Sequence, residues 1–265
     1  MPPLDKLMAR MGTAAENPAV VGMKKFVSDR DNEGAAEATL PDVNAFNRFL
    51  RDAVTHLPPE VMFAVMDLLR VAISGPRLSG YYAEEKDHKT IVTLLEYVNK
   101  LNDCPYSLRL VTLQMACNLF SSPLYPIHIL SCERLRAGIV DLITTSLLDD
   151  THNNVRVAAA SLAFNLATAN QTFRSERKEA MPESDQVELA ASLLESITVE
   201  ENSTEALRGY LLALGYLVYC CEPNGELVDL LKSMDAQGTL LGKGKTFPNE
   251  PLLNEIGHEL LGKGL

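Results

Sequence analysis

Five histidines and five cysteines are the side chains of this 265-residue chain best suited to metal binding, proton transfer or nucleophilic attack. His56, His88, His128, His152 and His258 are scattered and fall in neither an HExxH pattern nor a His/Cys ligand spacing. "GHELLG" (257–262) holds only half of a zinc-protease signature. Cys104, Cys117, Cys132, Cys220 and Cys221 make an odd set with no CxxC pair, which reads as reduced thiols in an intracellular protein. Most of them are expected to pack as small hydrophobes, Cys220 and Cys221 inside an apolar helical run. A Cys–His nucleophile built on Cys132 or Cys117 is the alternative left open, although neither residue sits in a recognisable setting.

"GTLLGKGKT" (238–246) approaches a phosphate-binding loop. That motif needs Gly five residues before the Gly-Lys-Thr, where Thr239 stands, and an apolar strand in front, which is missing. A flexible loop is expected there. The acidic residues are spread over helix surfaces and form no dyad. The chemistry therefore predicts no enzyme, no cofactor and no metal.

The polar residues that do repeat are of another kind. "SLRLVTLQMACNLF" (107–120) and "NVRVAAASLAFNLATAN" (154–170) share an Arg, a small-residue run and an Asn-Leu at one offset, 47 residues apart. Placing Asn118 over Asn165 also aligns Arg109 with Arg156 and Gln114 with Ser161. A period near 47 lies at the upper end of the range for armadillo and HEAT units, which bury their apolar faces only by stacking on neighbours. "STEALRGYLLALGYLVYC" (203–220) reads as a weaker third copy, with Gly215 or Leu217 near the Asn position.

At 100° per residue, Gln114 shares a helix face with Asn118, and Ser161 with Asn165. Stacked units would line these pairs along an inner groove, where amides can hold an extended peptide by its main chain. The competing reading, equally open, is that each Asn satisfies a carbonyl between units. Arg109 and Arg156 lie nine residues before their Asn, about 180° away, and are not groove residues on this geometry.

The elements that must carry these residues are helical. From Asp42 onward, apolar residues recur at three and four: an Asp-capped helix from "DVNAFNRFLRDAVTHL", then a Pro-started one from "PPEVMFAVMDLLRVAIS" that ends at "GPRLSG". Eight further segments follow down to "NEPLLNEIGHELLG", joined by short polar linkers, and no period-2 stretch is long enough for a sheet. The predicted fold is all-α, an armadillo/HEAT-like superhelical array of stacked helix pairs over residues 41–265. Residues 1–40, rich in turn formers, small residues and charge, are expected to be a linker or a partly ordered tether.

A hydrophobic content of 46% supports a packed core. The net charge of -11 argues against a nucleic-acid partner, because phosphate neutralisation needs surplus Lys and Arg. The longest apolar run, Tyr210–Cys221, is too short for a membrane span, and "MPPLDKLMARMG" does not read as a secretory signal.

"LPPEVMFAVMDLLRVAISGP", "SLRLVTLQMACNLFSSP", "NVRVAAASLAFNLATAN" and "EALRGYLLALGYLVYC" together, in this order, resemble landmark segments of the PUL domain. That domain closes the phospholipase-activating protein family (PLAA in animals, with fungal relatives in ubiquitin recycling). It also occurs in fungal proteins behind a deSUMOylase-like peptidase or a thioredoxin domain. The likeness runs from about Pro41 to the C-terminus.

The resemblance implies an armadillo-like, non-catalytic interaction module in ubiquitin-dependent turnover, in cytoplasm or nucleus. The implied partner is the acidic, aromatic-bearing C-terminal tail of the hexameric AAA ATPase valosin-containing protein, received in a basic groove. On this chain the groove would use Gln114, Asn118, Ser161, Asn165 and Arg208, without metal or cofactor. Two departures stand out. The family often carries Arg four residues before the first repeat Asn, where this chain has Gln114, and another where alignment puts Gly209, beside Arg208. Each lost cation would weaken binding of an acidic tail.

A second reading makes the chain an armadillo scaffold within a multidomain peptidase or thioredoxin protein, with no ATPase tail bound. None of those companion domains is present in the 265 residues, which fits either a piece of a larger protein or a stand-alone member.

Overall fold

A computed structural model describes residues 4–33, 38–178 and 180–262. They form fifteen α-helices and, among the described residues, no strand. The helices are α1 (Leu4–Met11), α2 (Pro18–Glu33), α3 (Val43–His56), α4 (Pro59–Ile73), α5 (Pro76–Ala83), α6 (Lys89–Asn99), α7 (Tyr106–Leu119) and α8 (Tyr125–Ser131). They continue as α9 (Glu133–Leu147), α10 (Asn153–Ser175), α11 (Glu183–Val199), α12 (Thr204–Val218), α13 (Glu226–Ser233), α14 (Ala236–Lys243) and α15 (Pro251–Asn254). A π-helical segment, Glu255–Leu260, follows. The fold is all-α and of the armadillo/HEAT kind. It divides into two compact units, Met1–His128 and Ile129–Leu265.

In the first unit α3 pairs with α4 and α6 with α7, while α3 lies on α6 and α4 on α7. That is the stacking a two-helix repeat requires, because each pair exposes an apolar face until the next covers it. α4 is the centre of the unit. Pro59 starts it, where the absent N–H is harmless, and Met62, Val65, Met66, Leu68, Leu69 and Ile73 on it are all fully buried. Asp42 caps α3 by accepting from the Ala45 N–H at 2.9 Å.

The N-terminal residues differ from the tether expected of them. α1 packs on α4, and α2 packs on α3 and α4. Leu7, Met11, Val20, Met23, Phe26 and Val27 are each no more than 3% exposed. The physical reason is burial: α4 is apolar around much of its circumference and needs a cover on the side away from α7. Arg30 of α2 adds a polar tie, donating from Nη1 to the carbonyls of Val71 at 2.9 Å and Ala72 at 3.3 Å. Those carbonyls belong to the last turn of α4, where Ser74 Oγ also donates to Val71 at 2.8 Å and the Gly75 N–H to Ala72 at 3.2 Å.

In the second unit α9 pairs with α10 and α11 with α12, while α9 lies on α11 and α10 on α12. α13 and α14 extend the α11 side, and α15 with the π-helical segment extends the α12 side. The segment expected as a flexible loop is largely the helix α14. Asp235, in a left-handed conformation at φ 47°, turns the chain and caps α14 by accepting from the Gly238 N–H at 3.2 Å. Lys243 at its other end donates to the Glu200 carbonyl at 2.8 Å.

Candidate functional site

Asn118 and Asn165 are each the thirteenth residue of their helix, α7 and α10, and Arg109 and Arg156 are each the fourth. The repeat seen in the sequence is thus a repeat of helix register. The two Asn residues nevertheless do different things. Asn118, in the first unit, is half-buried and donates from Nδ2 to the Arg70 carbonyl at 2.9 Å. With Arg30 on the next two carbonyls, it closes the C-terminal end of α4. Gln114, one turn earlier, is exposed, and its side-chain amide makes no hydrogen bond among the described residues.

In the second unit Asn165 is half-buried, and its amide has no hydrogen-bond partner among the described residues. Ser161, one turn earlier, is exposed, and its hydroxyl donates back to the Val157 carbonyl at 2.9 Å. The capping task that Asn118 performs on α4 falls in this unit to Arg174. Its guanidinium donates to the carbonyls of Leu217 and Tyr219 at the end of α12 and to Gln186 Oε1 at 2.8 Å.

The arginines form a ladder of ties. Arg156 Nε donates to Glu200 Oε2 at 2.9 Å, and the Glu200 side chain is 3% exposed. The other oxygen of Glu200 accepts from the N–H groups of Asn202 and Ser203, just ahead of α12. Arg208 repeats the device one step on: it pairs with Glu250 at 2.9 Å, and Glu250 in turn accepts from the Leu252 N–H at the start of α15. In the first unit Arg51 reaches Thr90 at 2.8 Å and Glu85, which accepts from the Thr90 N–H at the start of α6. Each carboxylate therefore accepts backbone N–H groups at or just before the start of a helix and holds an Arg from an earlier helix, which offsets the cost of burying it.

Two consequences concern cationic character. Arg208 is exposed over 55% of its side chain, yet its charge is already opposed by the fully buried Glu250. At the neighbouring Gly209, an added Cβ would stand 2.6 Å from the Cβ of Ala160. The packing of α12 on α10 thus leaves no room for a side chain at this position.

Cysteine chemistry is muted. None of the five cysteines forms a disulfide. Burial pushes the Cys117 thiol up to about 12, the reverse of an activated nucleophile. His88 and His128 stand with ring centroids 4.9 Å apart beside the buried Tyr125, and His88 Nδ1 has no partner. Burial, then the neighbouring His128, lowers the His88 pKa from its ordinary 6.5. Among the described residues, no three His, Cys, Asp or Glu side chains are grouped to hold a metal, and no helix is long and apolar enough to cross a membrane.

The family model described as PUL domain matches residues 1–259, which takes in α1 and α2 as well as the segments quoted from Pro41 onward. PUL domains are protein-interaction domains. No curated protein matches the chain.

Proposed function

Because the chain belongs to the PUL domain family, we propose that it is a non-catalytic receptor for an extended acidic peptide. The peptide is the C-terminal tail of the valosin-containing AAA ATPase, and the setting is ubiquitin-dependent protein turnover. The observation that carries this reading is the family match across nearly the whole chain. Two side-chain amides support it. Gln114 is exposed, Asn165 is half-buried, and neither is engaged internally among the described residues, so each can reach a ligand's main chain. Asn118 and Arg208 contribute less, since both already hold internal partners.

Titration calorimetry at low salt with a synthetic peptide ending in an acidic, aromatic-bearing C-terminus tests the proposal. Measurable heat that weakens with added salt is expected, with Asn165→Ala reducing affinity about tenfold. Absence of heat for the intact chain would end this reading.

A further inference from the structure

The second unit carries a groove whose chemistry is opposite to that of an acidic-tail site. It has a volume of about 620 Å³ and runs between the last turns of α12 and the π-helical segment, and none of its lining residues is Lys or Arg. One wall is Leu212, Tyr216 and Tyr219; the other is Ile256 with Glu255 and Glu259. Tyr216 is held in place by an edge-to-face contact with Phe164, the ring centroids 5.4 Å apart. Tyr219 is 55% exposed where α12 ends.

The π-helical segment shapes the opposite wall. A π-turn spreads successive side chains, and such turns are rare and concentrate at functional sites. Here it sets Glu255 and Ile256 on the groove together with Glu259 one turn later. The nearby cation, Arg174, directs its guanidinium into the Leu217 and Tyr219 carbonyls and Gln186. The unit as a whole is acidic. Residues 129–265 hold eleven Lys and Arg against twenty Asp and Glu, a net -9 of the chain's -11.

We propose that this groove binds a short cationic segment of a partner protein. One aliphatic or aromatic side chain would seat between Tyr216 and Ile256, with a flanking Lys or Arg meeting Glu255. Aromatic faces and carboxylates at one rim suit Lys and Arg twice over, through cation–π contact and charge-assisted hydrogen bonds. The segment is of opposite charge to the acidic tail, so this site stands whether or not that tail binds.

The test uses the full chain and two fluorescent nonapeptides. Each has a central Leu-Phe, flanked by lysines in one and by glutamates in the other, and binding is read by anisotropy. The lysine peptide is expected to bind and the glutamate peptide not. Glu255→Lys should weaken binding about tenfold and Tyr219→Ser about fivefold, while Asp103→Lys, the same charge change on an exposed residue of the first unit, leaves it within about twofold. All three positions are exposed, so unchanged thermal unfolding is expected of each variant. The proposal is overturned if neither peptide binds, if both bind alike, or if Asp103→Lys weakens binding as much as Glu255→Lys. It is also overturned if the groove variants abolish a concentration-dependent self-association, which would give the groove to a second copy of the chain.

Discussion

Gly209 of α12 packs directly on Ala160 of α10, with 2.6 Å between the methyl of Ala160 and the position of an added Cβ. The contact joins α10 and α12, the helices that carry Asn165 and Arg208. Replacing Gly209 by Ala must push the helices apart, because the obstructing atom is a methyl group with no rotamer to retreat to. A loss of about 1–3 kcal/mol in urea unfolding is expected despite the better helix propensity of Ala. A more stable variant would show the interface to be loose.

Glu200 is buried and doubly used, by Arg156 and by two N–H groups ahead of α12. Arg156→Ala leaves the buried carboxylate without a countercharge, held only by its two N–H donors, and should cost about 3 kcal/mol. Arg156→Lys keeps the charge but loses the fork that also reaches the Asp149 carbonyl at 2.9 Å, so a smaller loss of about 1 kcal/mol is expected. A double-mutant cycle with Glu200→Gln checks the coupling, and a value near zero would show that the pair contributes nothing.

The lowered His88 pKa has a pH signature. The folded state favours the neutral ring, so between that lowered value and about 6.5 the unfolded chain binds more protons. Stability should therefore be complete above pH 6.5 and fall as the pH drops below it. Glu85 and Asp87 partly oppose the shift. His88 sits in a left-handed conformation at φ 46°, which Asn tolerates, so His88→Asn should keep the turn and flatten this part of the profile. Thermal unfolding from pH 7.5 to 5 reads both.

Thiol labelling separates the cysteines. With iodoacetamide at pH 8, Cys220, which is exposed, should be modified at least about tenfold faster than Cys117, whose thiol burial holds near 12. Mass spectrometry of the native protein after brief exposure gives the order. Rapid alkylation of Cys117 would revive it as a nucleophile candidate.

Much of the fold could be read from residue order, because the helices from Asp42 onward advertise themselves by period, by Asp caps and by Pro at the first turn. The N-terminal helices were just as legible in principle. Leu4, Leu7, Met8 and Met11 recur at three and four, as do Val20, Met23 and Val27, but the intervening Gly, Pro and charges drew the reading toward a tether. α14 was masked by its glycines, since a Gly-rich run reads as a loop unless the Asp235 cap is weighed against it. The two Asn positions share a register that periodicity finds. Periodicity does not show that Asn118 closes a neighbouring helix while Asn165 closes none, because that depends on which carbonyl the stacking brings alongside. The Arg–Glu ties lay further out of reach: partners 44 and 42 residues apart are joined by repeat geometry, not by any local pattern.

Those ties all point one way. Arg156 and Arg208 each wait for a carboxylate that lies later in the chain. On the ribosome, α10 therefore emerges some forty residues before the group that neutralises it, and α12 does the same. The polar ties of the second unit therefore close about one helix pair behind synthesis, and a nascent chain halted before Glu250 would carry Arg208 without its carboxylate.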